Sequence, residues 1–216
     1  MKEPFIRNHH YNFIKKQIDY LQHAYRTVSD PKVVESVRYG TESNIMGLFP
    51  DADDIQQLLT GKIPTLQTAE DFQQYLLSLE PYMTAFPQVT ATQIRKLFPK
   101  NKKLTIPDLK LDYRHITYLG WLDISANKII IVYPFNGQIL GIEGRFTPTG
   151  KKGACFLCNR HEETALVTAV TKARPAKSSP DYYKAVGNYM CMDSEACNKN
   201  ITDVASLERF IHEVLG

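Results

Sequence analysis

Four cysteines restrict the C-terminal third of this chain to a narrow choice of structures. All the cysteines of the 216 residues fall within 43 residues in the pattern C-x2-C-x32-C-x5-C, as Cys155, Cys158, Cys191 and Cys197. A two-residue gap lets a tight turn direct two thiolates at one metal ion. Four thiolates complete a tetrahedron without an open position, and zinc suits such a soft, closed site. The pattern therefore predicts one structural zinc ion within residues 150–216.

Other uses of the four cysteines stay open at this point. Iron also accepts four sulfur ligands, and the thiols could instead form two disulfides or be unrelated buried residues. The N-terminal sequence lacks a signal peptide's apolar core, and no stretch approaches the roughly 18 apolar residues that span a membrane, so a cytoplasmic protein is expected. Cytoplasmic thiols stay reduced, which favours a metal. His161 is a further candidate ligand, although we expect it on the surface.

The first half of the chain has the period of amphipathic helices. Apolar residues recur at spacings of three and four along the first predicted helix, residues 11–28: Ile14, Ile18, Leu21, Tyr25 and Val28. A later stripe has similar spacing: Phe72, Tyr75, Leu76, Leu79 and Met83. These stripes predict the core of a helical bundle over residues 1–86.

Capping signals divide this half into helices. Asp30 before Pro31 predicts the start of a second helix, with Gly40 as its stop. Thr68 and Asp71 have the spacing of a capping box. Between them we expect a short helix, with its cap and its stop at Asp51 and Gly61.

A proline-punctuated junction, residues 84–107, precedes a change to strand-like sequence. Segments rich in β-branched and aromatic residues follow at 115–123, 128–135, 138–146, 163–171 and 182–190. Asn136-Gly137 is a strong hairpin signal between the second and third of them. The chain closes with an amphipathic helix that Thr202 or Asp203 would cap. The predicted fold class is α+β, with a helical bundle over 1–86 and a small mixed α/β domain over 87–216.

Positive charge is concentrated in the second half. Residues 1–100 carry 11 basic and 11 acidic side chains, whereas residues 101–216 carry 15 and 12, which accounts for the net charge of +3. A basic run without acids lies at 93–103 and predicts either a solvated face or a contact with phosphate. Basic residues also surround the cysteines and alternate with aromatic ones, among them Phe156, Lys184 and Tyr189. This composition is typical of a binding surface for protein or RNA.

Motifs of catalysis are absent from the sequence. It contains no HExxH, GxSxG, P-loop or GxGxxG, and a cysteine committed to zinc is not free to act as a nucleophile. We therefore expect a protein that is not an enzyme and has no small-molecule substrate. A hydrolase with an unrecognised site remains the third hypothesis, after a protein-binding role and a zinc-containing RNA- or DNA-binding module.

Several segments resemble one family closely. They are CFLCN at 155–159, GNYMC at 187–191, DSEACNKNITD at 193–203, YLGW at 118–121 and the NKIIIVY stretch at 127–133. On these segments the chain resembles the fusidic-acid-resistance family of elongation factor G-binding proteins (FusB type). The order and lengths match across most of the chain, although the helical half matches in pattern more than in identity.

The resemblance implies a helical bundle followed by an α/β domain with a treble-clef-like zinc finger. It implies that the four cysteines are the zinc ligands, and that the zinc-bearing domain binds elongation factor G and releases it from ribosomes on which fusidic acid has trapped it. Tyr189 and Phe210 match aromatic positions of the family and are the first candidates for partner contact. We expect a monomer that contacts the ribosome at most transiently. Two departures are Ala154, where a bulkier residue is expected, and a proline-containing insert at 173–183.

Overall fold

The computed structural model describes residues 3–50, 52–172, 179 and 183–216. The chain divides into two compact units, residues 1–84 and 85–216, which we call the helical unit and the sheet unit. The domain limit expected from the sequence, between 86 and 87, stays a prediction. Among the described residues, no helix combines the length and the apolar character that crossing a membrane requires.

The helical unit consists of four α-helices. Their bounds are α1, Asn8–Thr27; α2, Pro31–Met46; α3, Asp53–Thr60; and α4, Ala69–Leu79. Single 3₁₀ turns follow the third and fourth helices at Ile63–Thr65 and Glu80–Tyr82. The predicted stripe of α1 is turned inwards, because Ile14, Ile18 and Leu21 are fully buried in the core of this unit. Apolar periodicity thus predicted the inner face correctly.

Local capping follows the sequence signals in this unit. The Asp30 side chain accepts a hydrogen bond from the backbone N–H of Lys32 at 2.9 Å. Thr68 and Asp71 form the predicted capping box, in which each side chain accepts from the other residue's backbone N–H. Gly61 ends α3 as expected. These bonds satisfy N–H groups that a helix end otherwise leaves without a partner.

The stop predicted at Gly40 is wrong. Helix α2 continues through this residue to Met46, and Gly47 follows its end. Glycine inside a helix costs only about 1 kcal/mol relative to alanine. Burial of Ile45, in the turn after Gly40, offsets this cost. The cap predicted at Asp51 falls on a residue outside the described part of the chain; the neighbouring residue, Ala52, precedes α3 and makes no side-chain cap.

The sheet unit is built on one antiparallel sheet in which sequential strands are neighbours, in the order β1-β2-β3-β4-β5. The strands are β1, Leu119–Asp123; β2, Lys128–Phe135; β3, Gln138–Ala154; β4, His161–Val170; and β5, Ala185–Cys191. The same unit contains three α-helices, one before the strands and two after them: α5, Ala91–Leu97; α6, Ser194–Asn198; and α7, Ala205–Leu215. Further 3₁₀ turns lie at Tyr113–His115 and Ile124–Ala126.

The predicted hairpin at Asn136-Gly137 is confirmed. Phe135 pairs with Gln138 across a two-residue turn, in which Asn136 and Gly137 have φ angles of 49° and 76°. Two consecutive positive φ angles characterise the turn type that matches strand twist and favours Asn-Gly. This turn sets the register of β2 against β3, in which Ile131 faces Ile142.

Both faces of the sheet are covered at β2. Ile129 and Ile131 join a core that contains the cysteines and α7, whereas Ile130 and Val132 join a core with residues of the 86–113 segment, including Phe98. A strand buried on both faces has a continuous apolar run, as in KIIIV. The predicted cap of α7 is wrong by one residue: Val204 precedes the helix and makes no side-chain cap, although the Asp203 carboxylate accepts from the backbone N–H of Ala205. A helical half followed by an antiparallel sheet with helices confirms the α+β class.

Candidate metal centre

The first two cysteines lie on a tight turn between β3 and β4. The backbone N–H of Cys155 donates to the carbonyl of Arg160 at 3.0 Å, and that of Asn159 donates to the carbonyl of Cys155 at 2.9 Å. Asn159 adopts a left-handed conformation with φ of 56°, which asparagine tolerates better than most residues. The turn reverses the chain within a few residues, so both thiols of the C-x2-C motif point to the same side.

The other two cysteines come from a strand end and the short helix behind it. Cys191 is the last residue of β5, and Cys197 lies in α6. Asp193 caps α6 and accepts hydrogen bonds from the backbone N–H groups of Glu195 and Ala196 at 2.8 and 3.2 Å. This cap fixes where the helix begins, and therefore which side chain of its first turn reaches the turn at Cys155.

All four sulfur atoms lie within 4.8 Å of one another and are buried. The distance between the Cys155 and Cys197 sulfurs is 3.9 Å, and that between Cys158 and Cys191 is 3.6 Å. Tetrahedral zinc with Zn–S bonds of about 2.3 Å would require sulfurs about 3.8 Å apart. These separations exceed the roughly 2.05 Å of a disulfide, and all four cysteines are free thiols. The donor set therefore fits a tetrahedral zinc ion.

The electrostatics of the cluster also favour a cation. Hydrogen bonds with the thiols of Cys158, Cys191 and Cys197 lower the pKa of Cys155 far below its ordinary range. Hydrogen bonding with Cys155, Cys158 and Cys191 raises the pKa of Cys197 instead. A divalent ion supplies the positive charge that four adjacent thiolates need.

Backbone donors support one sulfur in particular. The N–H groups of Leu157 and Cys191 each donate to the Cys155 sulfur at 3.4 Å. Such hydrogen bonds hold a metal-bound thiolate in place and disperse its charge. His161, the alternative ligand, is exposed at the first residue of β4 and does not belong to the thiol group among the described residues.

The residues predicted to contact a partner fall into two environments. Tyr189 on β5 is 53% exposed and Lys184 is also exposed, whereas Phe156 is half-buried against the thiol-side core. Phe210 is only 2% exposed, and its ring meets that of Phe156 edge-on with centroids 5.6 Å apart. Burial leaves Phe210 almost no surface for direct contact, because its position in α7 faces the sheet. In this structure Phe210 packs against the ring of Phe156 on its buried side.

Two exposed apolar side chains beside Tyr189, those of Leu166 and Val170, were missed by the sequence reasoning. Leu166 pairs with Tyr189 across β4 and β5 and is 38% exposed, and Val170 on the same face of β4 is 56% exposed. Tyr183, just before β5, is also exposed. The sequence ALVTAV gave no signal for Leu166 and Val170, because five of its six residues are apolar and the pattern does not say which face is covered. We call Leu166, Val170, Tyr183 and Tyr189 the open face.

Sequence families match both units of this chain. Residues 5–87 match the family described as "Elongation factor G-binding protein, N-terminal", and residues 94–213 match "FBP C-terminal treble-clef zinc-finger". The chain belongs to this family of elongation factor G-binding proteins. The fold agrees with a solved structure of the fusidic acid resistance protein FusC, at a TM-score of 0.79 and 30% identity, over 97% of each chain. No curated protein matches significantly in a sequence comparison.

Membership of this family agrees with the cysteine geometry, because the matched C-terminal model is described as a treble-clef zinc finger and the four sulfurs form one cluster. The four-cysteine cluster and the family together fit one structural zinc ion. Of the two departures noted in the sequence, Ala154 is the last residue of β3, immediately before the metal turn. Most of the proline-containing insert, residues 173–178 and 180–182, lies outside the described residues.

Proposed function

We propose that this protein binds elongation factor G as a monomer, through the open face and Lys184, and promotes release of the factor from ribosomes on which fusidic acid holds it. The proposal is supported by membership of the elongation factor G-binding family and by the likeness to a fusidic acid resistance protein. The role requires neither a nucleotide nor a small-molecule substrate, and this family is not a known class of enzymes.

The observation that carries the contact surface is the position of Tyr189. Its carbonyl accepts a hydrogen bond from the backbone N–H of Phe156 at 2.8 Å, inside the metal turn, and its strand ends two residues later at Cys191. A zinc ion that fixes the turn therefore fixes the strand that presents this exposed ring. Rigid, exposed tyrosines are favoured at protein interfaces because they bury a large area with little loss of conformational entropy.

Release of the factor would follow from differential affinity. A ligand shifts an equilibrium only as far as its affinities for the two states differ, so this protein must bind the departing form of the factor more tightly than the ribosome-bound form. Its own contact with the ribosome need only be transient. Drug protection is then the visible result of a binding equilibrium.

Calorimetric titration of elongation factor G, free of ribosomes and RNA, tests the contact surface. We expect one-to-one binding that Tyr189→Ala weakens at least tenfold, with zinc content and melting temperature unchanged. Tyr20→Ala is the matched control, because Tyr20 is similarly exposed at 60% but lies on α1. No binding by zinc-loaded, folded protein at micromolar concentration would exclude the proposed partner.

A sedimentation assay tests release. Ribosomes stalled with elongation factor G, GDP and fusidic acid are centrifuged with and without the protein, and we expect the factor to move from the pellet to the supernatant. Tyr189→Ala should leave the factor in the pellet. If wild-type protein binds the free factor but leaves it in the pellet, the protein binds the factor without releasing it.

A second candidate function, binding of RNA, is favoured by a basic cleft of about 590 Å³ in the sheet unit. Lys96 and Lys100 of the basic run line it together with Lys172, which is distant in sequence. These lysines have no ion-pair partner among the residues that the structure describes. The acid in the cleft, Glu143, is already bound by Lys128 at 2.6 Å and Asn101 at 2.7 Å. The cleft therefore suits phosphate groups.

Salt dependence of binding separates the two candidates. Fluorescence anisotropy with a labelled single-stranded RNA should show affinity that falls with salt, at a slope of about −0.7 per contacted phosphate. Changing Lys96, Lys100 and Lys172 to Glu should abolish that binding. The same changes at Lys15, Lys16 and Lys32, exposed in the helical unit, are the charge-matched control. Absence of RNA binding at low salt excludes this second function.

A further inference from the structure

A buried asparagine connects the metal centre to a segment about 80 residues earlier in the chain. Asn198 follows the ligand Cys197 directly, and its side-chain oxygen accepts from the backbone N–H groups of Thr117 and Tyr118 at 2.7 and 3.2 Å. Its side-chain nitrogen donates to the carbonyls of Tyr118 and Ser194 at 2.9 and 3.0 Å. The Ser194 hydroxyl in turn donates to the Gly120 carbonyl at 2.6 Å. These bonds hold residues 117–120 against α6.

The ring of Tyr118 is therefore held in one place beside the thiols. It is completely buried, and it occupies the space over Gly120, where an added Cβ would come within 2.5 Å of the ring carbon Cε2. Glycine at position 120 is needed for this close approach. The ring belongs to the same core as Cys155, Cys191 and Cys197.

The hydroxyl of Tyr118 has no hydrogen-bond partner within the described residues. A buried hydroxyl without a partner costs on the order of 1–3 kcal/mol, so native structures rarely keep one without a reason. A tyrosine hydroxyl is neutral at ordinary pH and can donate one hydrogen bond. The core that holds this ring also contains Cys155, Cys158, Cys191 and Cys197, whose sulfur atoms can accept it.

The sulfurs differ in their surroundings. Cys155 accepts hydrogen bonds from two backbone N–H groups. Cys197 is the ligand next in sequence to Asn198, whose side chain accepts from the backbone N–H of Tyr118. Four thiolates around one divalent cation leave two net negative charges in a buried site, and each thiolate gains from a hydrogen-bond donor. We propose that the Tyr118 hydroxyl donates a hydrogen bond to the zinc-bound thiolate of Cys197 and thereby strengthens zinc binding.

This arrangement makes Tyr118 a positioning residue for the metal. It acts on zinc through Cys197, and the hydrogen bonds of the Asn198 side chain fix the position of its backbone. The inference concerns metal affinity alone and does not depend on the identity of any protein partner. Removal of one oxygen atom should therefore weaken zinc binding while the packing of the ring, which is apolar, is preserved.

Zinc affinity of Tyr118→Phe, measured by competition with a chelating dye, tests the proposal. We expect affinity 10–100-fold below wild type, the range seen when an outer-shell partner of a metal ligand is removed. Tyr133→Phe is the matched control: Tyr133 is buried in the same core, and its hydroxyl donates to Glu208 at 2.8 Å, away from the thiols. We expect the control to bind zinc within about threefold of wild type, since it changes no group near a ligand.

Cobalt substitution separates a hydrogen bond to sulfur from a loss of packing. Loss of a donor to a thiolate raises the energy of the sulfur lone pairs, so the sulfur-to-cobalt charge-transfer band of Tyr118→Phe should move to longer wavelength. The control variant should keep the wild-type band. Zinc affinity and a cobalt spectrum equal to wild type in Tyr118→Phe would overturn the proposal, as would equal losses in both variants.

Discussion

The helical unit and the sheet unit achieve stability by different means. In residues 3–50 and 52–84, helices with apolar stripes bury residues such as Ile14 and Leu21 against one another, and their caps are local. In the described parts of residues 85–216, the bonds that close the structure join distant segments, as Asn198 does with Thr117. The thiol cluster likewise joins a turn, a strand end and a short helix. The comparison teaches that the helical unit is built from locally specified helices, whereas the sheet unit adds bonds between distant segments to its apolar cores.

Zinc removal should have the largest effect of all the tests, and it should act on the sheet unit alone. We expect a chelator, or Cys197→Ser, to unfold the sheet unit and leave the helical unit folded, because structural zinc contributes apparent free energies of about 10–16 kcal/mol in small zinc-finger peptides. Trp121 is the one tryptophan and lies in β1, so its emission reports the sheet unit, while circular dichroism at 222 nm follows the helices.

Acid should have the same effect as the chelator, because protons compete with zinc for thiolates. Addition of chelator to Cys197→Ser serves as the control and should change nothing more. Unchanged Trp121 emission after complete loss of zinc would show that the sheet unit does not depend on the metal.

A core truncation in the helical unit should destabilise that unit and leave the zinc site intact. Ile18 is fully buried in α1, so Ile18→Ala should lower the free energy of unfolding of this unit by about 2–5 kcal/mol. Chemical denaturation followed at 222 nm measures this, and zinc content should stay at one equivalent. Tyr20→Ala on the exposed side of α1 should change stability by no more than about 0.5 kcal/mol. Loss of zinc in Ile18→Ala would mean that the two units do not respond separately.

The Asn198 bonds allow a finer test of the sheet unit. Asn198→Ala removes the acceptor for two buried backbone N–H groups, which should destabilise this unit on the order of 3 kcal/mol. Asn200→Ala is the contrasting variant, because the Asn200 side chain donates to the Ala196 carbonyl of the same short helix at 2.7 Å, so we expect a smaller effect. Denaturation followed by Trp121 emission ranks the variants. Equal stabilities of the two variants would contradict the role given to the Asn198 side chain.

The smallest expected effect is a gain in stability from Gly40→Ala. Gly40 lies inside α2, and an added Cβ would meet no atom within 4 Å, so alanine should stabilise the helical unit by about 0.5–1 kcal/mol. Thermal unfolding measures the change. Gly137→Ala is the contrasting variant, because φ of 76° in the hairpin turn disfavours any side chain. A loss of stability in Gly40→Ala would show strain at that position.

Elements with a local cause could be predicted well from the sequence. The stripe of α1, the capping box at Thr68 and the Asn-Gly hairpin each depend on residues close in the chain. The cysteine cluster was also predictable, because metal chemistry restricts how four thiols can be used. The stop expected at Gly40 was wrong for the converse reason: burial of Ile45, a tertiary effect, outweighs a weak local preference.

Positions within the site needed the tertiary structure. Phe210 and Tyr189 are both aromatic residues of the resemblance, yet one is buried under Phe156 and the other is exposed beside Leu166. The apolar stripe of α7 predicts that Phe210 packs against another element. Only the fold shows that this element is the sheet. The place of Tyr118 beside the thiols was equally hidden, since it depends on contacts about 80 residues apart.

The sequence by itself determined the helical and strand periods, the hairpin, the family and a four-cysteine metal set, because these follow from neighbouring residues or from the restricted chemistry of sulfur. Only the tertiary structure decided which face of β4 and β5 remains open, which aromatic rings are buried, and that the buried Tyr118 shares a core with the cysteines. The physical reason is that periodicity shows that a segment has an apolar side, whereas burial and hydrogen-bond partners depend on what the rest of the chain brings against that side.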